Sequence, residues 1–396
     1  MSLFAEYTKR VDGAAVSEIL AMMADPEIIS FCGGSPAKEA FPVETIRDFA
    51  VKALNENPLT VLQYGVTEGW KPLRQAYLEH MVLPKGVKAD IGNVATLTGA
   101  TQGIIAVSEV FLNPGDTVLV ESPTFLSTLS VFSKLSAQAV PVEVDDDGMI
   151  MDDLEEKIKR HKPKILYCIP TFQNPTGRTL KADRRQKIAE LASRYDVIVL
   201  EDDPYCELRY RGQVQPPIKS FDESGHVIML NSFSKIISPG LRVGAMVAAP
   251  EIIKKVVIAK QLLDTHTANL NQAICADFLN AGLLPGHLKK IVPIYAQRLD
   301  CMLRGIKAHF PKDCEYTTPE GGLFVWVKLP GNPDLKALLK KATTELKVAF
   351  IPGGPFFINP QDGHNCIRLN FSSVSPENID IGMQRMGRLF CDALSR

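Results

Sequence analysis

The chain has 396 residues, and its 44 Lys+Arg and 45 Asp+Glu leave a formal net charge of −1. Hydrophobic residues make up 45% and charged residues 22%, which excludes an intrinsically disordered chain and gives no electrostatic reason to expect nucleic acid or an anionic membrane as partner. This length predicts two domains, or one large domain with a smaller partner.

The N-terminal residues and the cysteines indicate the cellular compartment of the protein. No apolar core follows Glu6, Lys9 and Arg10, so we expect no signal peptide. The longest uncharged stretch, residues 91–108, is too rich in Thr, Asn, Gln and Gly for a transmembrane helix. The eight cysteines are scattered without a Cys-x-x-Cys pair, which favours buried thiols in a reducing compartment over disulfides or a metal site. We therefore predict a cytoplasmic protein.

Short apolar runs alternate with amphipathic runs through most of the chain. The first forty residues, with Gly33-Gly34-Ser35-Pro36 and Phe41-Pro42, predict an irregular arm. Runs rich in Val, Ile and Leu predict strands buried on both faces at 117–121, 138–144, 164–170, 197–201, 226–231 and 243–249. Helices are predicted between them at 102–112, 153–159 and 182–195, with Asp152 and Glu155 resembling a capping box at the start of the second. This alternation predicts a mostly parallel α/β sheet covered by helices on both sides.

The pattern changes after about residue 250. Long helical stretches at 251–263 and 288–310 precede shorter strands at 323–328, 348–351 and 366–371, and a final helix is predicted at 376–394. We interpret this region as a second, α+β domain that is linked through the long helix near 285–310. The predicted division is an N-terminal arm at 1–44 associated with the small domain, a large domain at 45–284 and a small domain at 285–396.

Lys235 follows a predicted buried strand, in the segment Ser232-Phe-Ser-Lys-Ile-Ile-Ser-Pro-Gly-Leu-Arg242. Burial disfavours the charged form of a lysine, which suits Schiff-base chemistry with an aldehyde cofactor. The hydroxyls of Ser232 and Ser234, together with Arg242, suit a phosphate close to that lysine. For this segment alone, an ordinary loop lysine with Arg242 in a salt bridge is the alternative.

Acidic residues and a phenol end another predicted strand, in the segment Glu201-Asp-Asp-Pro-Tyr205. Ligands of α/β folds bind at the carboxyl ends of the strands, and a carboxylate there can keep a pyridine nitrogen protonated. The phenol of Tyr205, three residues after Asp202, could donate a hydrogen bond to a phenolic oxygen of the same ring. A turn or helix cap is the alternative reading of Asp-Pro.

Two further segments fall at the same predicted sheet edge. Asn174 lies in Pro170-Thr-Phe-Gln-Asn-Pro-Thr-Gly177 after a buried strand, although Asn-Pro-Thr-Gly also forms ordinary turns. Thr98-Gly-Ala-Thr-Gln-Gly103 opens a predicted helix whose backbone N–H groups could hold a phosphate, although such helix starts are common. Four segments thus supply an amine, an acid, a phenol with an amide, and a phosphate cradle at one edge.

Taken together, these segments resemble the class I/II aminotransferases of fold type I, which use pyridoxal 5′-phosphate (PLP). Within that superfamily the chain is most similar to the branch of 2-aminoadipate, kynurenine and aromatic aminotransferases. The motifs that carry the resemblance are Gly33-Gly34-Ser-Pro36, Gln63-Tyr-Gly65, Asn174-Pro-Thr-Gly-Arg178, Glu201-Asp-Asp-Pro-Tyr205 and Ser232-Phe-Ser-Lys235.

The resemblance implies an activity and alternatives to it. We expect a transaminase that moves an amino group from an aromatic, aliphatic or aminoadipate-like L-amino acid to a 2-oxo acid such as 2-oxoglutarate. The same constellation also supports C–S β-elimination or decarboxylation, because the outcome depends on how the Cα bonds are oriented. A non-catalytic PLP-sensing regulator is a different class, but it needs a DNA-binding domain for which the stretch before Gly33 is too short.

The resemblance assigns roles around the cofactor ring. Lys235 would hold PLP as a Schiff base and move the proton at the substrate Cα, and Asp202 would pair with the pyridine nitrogen. Tyr205 and Asn174 would bind the phenolic oxygen. Phe125 would stack on the ring, at a position where this branch commonly has Tyr, so stacking is kept and a phenol hydrogen bond is lost.

The resemblance also assigns residues to the phosphate, the substrate and the interface. The phosphate would be held by backbone N–H groups and by hydroxyl and guanidinium groups, those of Ala100, Thr101, Ser232, Ser234 and Arg242. Tyr64 would reach the phosphate of the neighbouring subunit, which implies a homodimer. Arg368 would bind the substrate α-carboxylate, next to Gly34 and Asn174, although the sequence alone also allows an exposed strand arginine.

The N-terminal arm departs from the family pattern. Relatives that act on long acidic or aromatic amino acids often carry an Arg there, whereas residues 14–17 here are Ala-Ala-Val-Ser. This departure weakens the case for an acidic side-chain pocket. Leu20, Met22 and Met23 could line an apolar pocket instead, or simply pack.

Overall fold

The computed structural model describes residues 3–10 and 25–394. Its strands, numbered in chain order, are β1 Ile29–Ser30, β2 Val94–Leu97, β3 Thr117–Glu121, β4 Gln138–Val142, β5 Val144–Asp145, β6 Gly148–Met149, β7 Ile165–Cys168, β8 Ile198–Asp202, β9 Val227–Ser232, β10 Gly244–Val247, β11 Glu315–Tyr316, β12 Phe324–Lys328, β13 Val348–Ala349, β14 Ile351–Pro352 and β15 Cys366–Asn370. Its α-helices are Tyr7–Arg10, Val43–Glu56, Pro58–Val61, Lys71–Tyr77, Ala100–Phe111, Leu126–Lys134, Met151–His161, Ala182–Tyr195, Pro250–Asp264, Asn269–Asn280, Leu283–His309, Leu335–Glu345 and Pro376–Leu394. Within the described residues, no helix combines the length and hydropathy that a membrane span requires.

A seven-stranded sheet is formed in the order β2-β10-β9-β8-β7-β3-β4, and the short strands β5 and β6 pair separately. The neighbours β3–β4, β3–β7, β7–β8 and β8–β9 are parallel, and β10 is antiparallel to β9 and β2. Because β10 reverses the direction twice, β2 points the same way as β9. The carboxyl ends of six strands therefore meet at one edge, and the predicted mostly parallel α/β fold is confirmed.

Both faces of this sheet are covered by helices, as the continuous apolar strands predict. Leu200 belongs to the same buried cluster as Ile104 of the helix that follows β2. Its neighbour Val199 belongs to a second cluster, with Ile188 of the helix that precedes β8. Burial of each such side chain contributes about 1.5–3 kcal/mol, and a shift of one residue in strand register would expose these side chains, so burial favours the observed register.

A smaller four-stranded sheet, in the order β11-β12-β15-β14, follows in the C-terminal part of the chain. The long helix Leu283–His309 packs against helix Pro376–Leu394. The rings of Phe310 and Phe390 lie edge to face, with their centroids 5.3 Å apart. Strand β1 pairs with β13 in parallel, so residues 29–30 of the predicted irregular arm form a strand that joins this region. The division into an arm, a large domain and a small domain stays a prediction, and residues 14–17, Leu20, Met22 and Met23 lie outside the described residues.

Two details of the predicted elements are wrong. The helix predicted at 153–159 begins at Met151 after Ile150, and no side chain caps it, so Asp152 and Glu155 form no capping box. Asp153 instead accepts from the backbone N–H of Glu143 at 2.8 Å, and this bond interrupts the predicted strand 138–144 after residue 142. Strand β2 is absent from the predicted elements, because the polar Thr96 interrupts its apolar run, and the hydroxyl of Thr96 donates to the distant side chain of Gln272 at 2.9 Å.

Candidate active site

A cavity of about 150 Å³ lies at the edge where the carboxyl ends of the strands meet. Side chains from the ends of β2, β7, β8 and β9 converge on it. Its lining consists of Ala100, Thr101, Ile104, Phe125, Ile169, Asn174, Asp202, Pro204, Tyr205, Ser232, Ser234, Lys235 and Arg242. The structure thus brings together every residue predicted for the cofactor except Tyr64.

Lys235 enters the cavity from the turn that follows β9. The buried side chains of Phe233 and Ile236 anchor this turn, and Nζ of Lys235 donates to the carbonyl of Gly34 at 2.7 Å. Burial, and then the positive charges of Arg242 and Arg368, lower the pKa of Lys235 to about 8. An amine with this pKa is largely unprotonated at mildly alkaline pH, which a nucleophilic lysine requires.

Asp202 and Asp203 end the same strand but face different surroundings. Oδ2 of Asp202 accepts from the hydroxyl of Tyr167 at 2.9 Å, whereas its buried Oδ1 has no partner within the described residues. Burial raises the pKa of Asp202 to about 7, and the nearby charge of Asp203 adds to this rise. Asp203 does not line the cavity and interacts with Lys85 and Cys206 instead. Asp202 is therefore the acid that an N–H donor in the cavity would meet.

Tyr205 and Asn174 lie on neighbouring loops of the same edge. Tyr205 is buried, with its ring edge-on to Phe324 at 5.8 Å. The loop of Asn174 is held by Gln173, whose side-chain oxygen accepts from the backbone N–H of Thr176 at 2.9 Å and from its hydroxyl at 2.7 Å. This local network fixes the turn and keeps the Asn174 side chain in the cavity lining.

A set of hydrogen-bond donors suited to an anion lies where helix Ala100–Phe111 begins. No side chain caps this helix at Gly99, so its first backbone N–H groups are left available as donors. Gly99 has a φ of +81°, and a Cβ there would lie 2.3 Å from Nη2 of Arg242. Only glycine therefore allows the guanidinium to lie over this helix start. Ser232 and Ser234 complete a donor set that suits a phosphate group.

Arg368 lies on β15 and is buried rather than exposed, which excludes the alternative of an exposed strand arginine. Its Nη2 donates to the backbone carbonyls of Cys32 and Gly33, and its guanidinium lies 4.4 Å from the ring of Phe324 and 5.1 Å from that of Phe356. Burial lowers its pKa to about 10, so the side chain stays charged at neutral pH. A charged fork in apolar surroundings is suited to binding a carboxylate.

Tyr64 is the residue predicted for the cofactor that does not line the cavity of its own chain. It is 80% exposed, and its ring is in edge contact with that of His266 at 5.9 Å. Sequence reasoning missed Tyr167, the donor to Asp202. Tyr167 lies opposite Leu200 on the neighbouring strand, and Leu200 is two residues before Asp202. Because side chains alternate along a strand, Tyr167 and Asp202 face the same side of the sheet, and this alternation is the signal that could have indicated the pair.

The residues present fit PLP on observations of this structure. The unpaired, buried Oδ1 of Asp202 can accept the N–H of a pyridinium ring, and Lys235 supplies an amine of lowered pKa. Gly99 leaves the space that Arg242 needs beside the helix start, where the phosphate would bind.

Comparison with known proteins gives a consistent result. The sequence model of the family "Aminotransferase class I and II" matches residues 26–386. The chain is 40% identical over 398 residues to aromatic-amino-acid aminotransferase 1 of Thermococcus litoralis, and the match covers 99% of this chain and 95% of that protein.

Solved structures are similar along almost the whole chain. The kynurenine aminotransferase of Pyrococcus horikoshii, in complex with PMP, is 38% identical with a TM-score of 0.94, covering 99% of this chain and 98% of that one. The alpha-aminoadipate aminotransferase of Thermus thermophilus, complexed with N-(5'-phosphopyridoxyl)-L-leucine, is 35% identical with a TM-score of 0.91 and the same coverage.

Proposed function

The chain belongs to the class I and II aminotransferases and is a PLP-dependent amino-acid transaminase, and from this premise we propose which residues perform the transfer and that 2-oxoglutarate is the acceptor. One observation carries the assignment: Lys235, Asp202, Asn174 and Arg242 line a single cavity at the carboxyl edge of the seven-stranded sheet. Such convergence from three separate segments is the arrangement that this chemistry needs.

Lys235 and Asp202 act at the two ends of the cofactor ring in this proposal. When bound, PLP supplies an aldehyde carbon for amines and a pyridine ring that takes up electron density from the substrate. The amine of Lys235 holds the cofactor in the resting enzyme and then moves the proton at the substrate Cα, for which its lowered pKa is suited. The carboxylate of Asp202 keeps a proton on the ring nitrogen, and Tyr167 fixes its orientation.

The remaining lining residues position the cofactor. We assign the phenolic oxygen to Tyr205 and Asn174, and ring stacking to Phe125, which contacts the cavity from the start of helix Leu126–Lys134. The phosphate is assigned to the helix start and to hydroxyl and guanidinium donors, those of Ala100, Thr101, Ser232, Ser234 and Arg242. Together these groups restrict the ring to one orientation beside Lys235.

Arg368 binds the α-carboxylate of the amino acid and of the oxo acid in this proposal. In the protein alone its fork donates to the carbonyls of Cys32 and Gly33 and to Asn174. A carboxylate accepts two parallel hydrogen bonds and carries a full charge, so it binds the fork more strongly than neutral carbonyls do. Gly34, next in the chain, borders the same place through its bond to Lys235.

We also propose a homodimer in which Tyr64 reaches the phosphate of the partner. The segment around Tyr64 exposes large apolar side chains, those of Leu59, Leu62, Tyr64 and Val66, which are 60–87% exposed. Leu262, shortly before His266, is 86% exposed. Apolar exposure of this extent favours a protein interface.

The buried free thiols of Cys32, Cys168 and Cys275 support a reducing compartment, and we propose the cytoplasm.

A half-reaction screen tests this function. Phenylalanine, leucine and 2-aminoadipate are added singly to the holoenzyme, the absorbance of the bound cofactor is followed, and the products are identified. We expect each reactive amino acid to yield its oxo acid, and 2-oxoglutarate, compared with pyruvate, to restore the original spectrum. Ammonia or CO₂ as the main product would instead indicate elimination or decarboxylation.

A further inference from the structure

A fully buried lysine lies behind the proposed phosphate site. Lys260, on helix Pro250–Asp264, has no exposed surface, and its Nζ donates to Oδ1 of Asp264 at 2.7 Å. Lysine is almost never buried to this degree unless it is paired, because removal of its charge from water is costly. The proposed cofactor chemistry gives this pair no role.

The second oxygen of Asp264 connects the pair to the start of helix Ala100–Phe111. Its Oδ2 accepts from the hydroxyl of Thr98, the residue before Gly99. The backbone N–H of Thr98 donates to the side chain of Gln102 at 2.8 Å, and its carbonyl accepts from Nη2 of Arg242 at 3.3 Å. Thr98 is therefore restrained through its hydroxyl, its N–H and its carbonyl, and it contacts the guanidinium assigned to the phosphate.

The end of helix Pro250–Asp264 is itself held in a tight turn. Thr265 has a φ of +64°, and the backbone N–H of His266 donates to the carbonyl of Asp264 at 2.7 Å. A β-branched residue adopts this conformation only where surrounding contacts fix it. The ring of His266 then contacts Tyr64, the residue that we propose to reach the partner subunit.

We propose that Thr98, Asp264 and Lys260 are positioning residues, which hold residues 99–101 and the guanidinium of Arg242 in the geometry that binds the phosphate of PLP. This inference rests on the proposed function, because it assumes that PLP occupies the cavity. The three residues act through hydrogen bonds to the site, and none of them lines the cavity.

The charges in this network explain why a lysine accompanies the aspartate. Burial alone would raise the pKa of Asp264, but hydrogen bonds from Lys260 and Thr98 hold it below its usual range, so the carboxylate stays charged. A lone negative charge behind a phosphate site would repel the phosphate. Lys260 compensates that charge, so Asp264 can orient Thr98 without opposing the ligand.

The test compares binding of PLP with binding of pyridoxal, which has the aldehyde but no phosphate. Both are titrated into the cofactor-free forms of wild type, Thr98→Val and Thr98→Ser. Thr98→Val loses the hydrogen bond to the charged Asp264 and the 3.1 Å hydrogen bond between the hydroxyls of Thr98 and Thr267, which predicts PLP binding about tenfold weaker or more. Thr98→Ser keeps the hydroxyl and should stay within about twofold of wild type. Pyridoxal affinity should be the same in all three proteins. Lys260→Met, which leaves the charge of Asp264 uncompensated, should weaken PLP binding at least as much as Thr98→Val.

A matched variant controls for general damage. Lys219 forms a similar buried pair with Asp222 at 2.8 Å and does not line the cavity, so Lys219→Met should lower stability without changing PLP affinity. Unchanged PLP binding in Thr98→Val, or an equal loss for PLP and pyridoxal, would overturn the positioning role. Failure of wild type itself to bind PLP would instead refute the proposed function.

Discussion

The guanidinium of Arg368 donates from Nη1 to Oδ1 of Asn174 at 3.0 Å. This bond joins β15 of the four-stranded sheet to the loop that follows β7 in the seven-stranded sheet. Because Asn174 lines the cavity, the bond places the charged fork at the border of the cavity. The positive charge of Arg368 is also close enough to Lys235 to help lower the pKa of its amine.

Arg368→Ala should weaken the binding of amino acids and oxo acids alike. Each charge-assisted hydrogen bond contributes about 1.5–3 kcal/mol, so we expect KM to rise about 10–100-fold for both substrates while PLP stays bound. Steady-state kinetics and the cofactor absorbance measure the two effects. Arg388→Ala, at an exposed position of the C-terminal helix, is the control and should leave KM unchanged. An unchanged KM in Arg368→Ala would mean that another group holds the carboxylate.

Lys235 should be the residue that carries the cofactor. Borohydride reduction of the holoenzyme, followed by proteolysis and mass spectrometry, should find the pyridoxyl group on the peptide that contains Lys235. Lys235→Ala should lose this label and about 10²–10⁴-fold or more in kcat, because the proton at the substrate Cα then has no carrier. The exposed Lys254 offers a control, since Lys254→Ala should keep both the pyridoxyl label on the Lys235 peptide and the wild-type kcat. A label on any other lysine would refute the assignment.

The sequence alone predicts those parts of the site that follow from a single segment and from the rule that the carboxyl ends of parallel strands lie at one edge of a sheet. Lys235, Asp202 and Asn174 each follow an apolar run, so their convergence could be predicted. The hydrogen bond from Thr98 to Asp264 could not, because it joins positions that are 166 residues apart and depends on how two helices pack. Sequence periodicity indicates which face of a helix or strand is buried, but it does not indicate which distant side chain contacts that face.

Asp202 should make the stability of the cofactor-free enzyme depend on pH. An aspartate titrates near 3.9 in an unfolded chain, and burial raises the pKa of Asp202 to about 7. The folded form thus binds more protons between about pH 4 and 7, and its contribution to stability falls as the pH rises through that window. Asp202→Asn cannot ionise, so the cofactor-free variant should melt about 2–4 °C or more above wild type at pH 8.

The melting difference between Asp202→Asn and wild type should shrink towards pH 4, where both side chains are neutral. Other buried acids titrate in both proteins, so the difference isolates Asp202. Asp313→Asn, the same exchange at an exposed position, is the control and should leave the Tm close to that of wild type. A difference in Tm that is the same at pH 4 and pH 8 would contradict an ionisation origin.

Mixed dimers should reveal whether Tyr64 acts across the interface. Tyr64→Ala and Lys235→Ala each impair a site, and a dimer with one subunit of each kind restores one complete site only if Tyr64 serves the partner. We therefore expect activity after subunit exchange that neither parent shows. The control mixture contains Val214→Ala, at another exposed apolar position, in place of Tyr64→Ala. The Val214→Ala protein should be active by itself, so this mixture should show activity before the subunits exchange. An inactive mixture of exchanged subunits would contradict the proposed role of Tyr64 in the partner's site.

Gly99→Ala should separate backbone strain from the loss of phosphate binding. The new Cβ would lie 2.3 Å from Nη2 of Arg242, so the guanidinium must move away from the helix start. Gly86→Ala is the control for positive φ, because Gly86 has a φ of +78° but no atom within 4 Å of its ideal Cβ. Gly86 has the left-handed conformation, so Gly86→Ala should lose about 1–2 kcal/mol of unfolding free energy, whereas Gly99→Ala should lose more, because a φ of +81° with a ψ of +160° is essentially restricted to glycine. Only Gly99→Ala should also bind PLP more weakly in a titration of the cofactor-free protein, and equal PLP affinities in the two variants would show that Arg242 does not hold the phosphate.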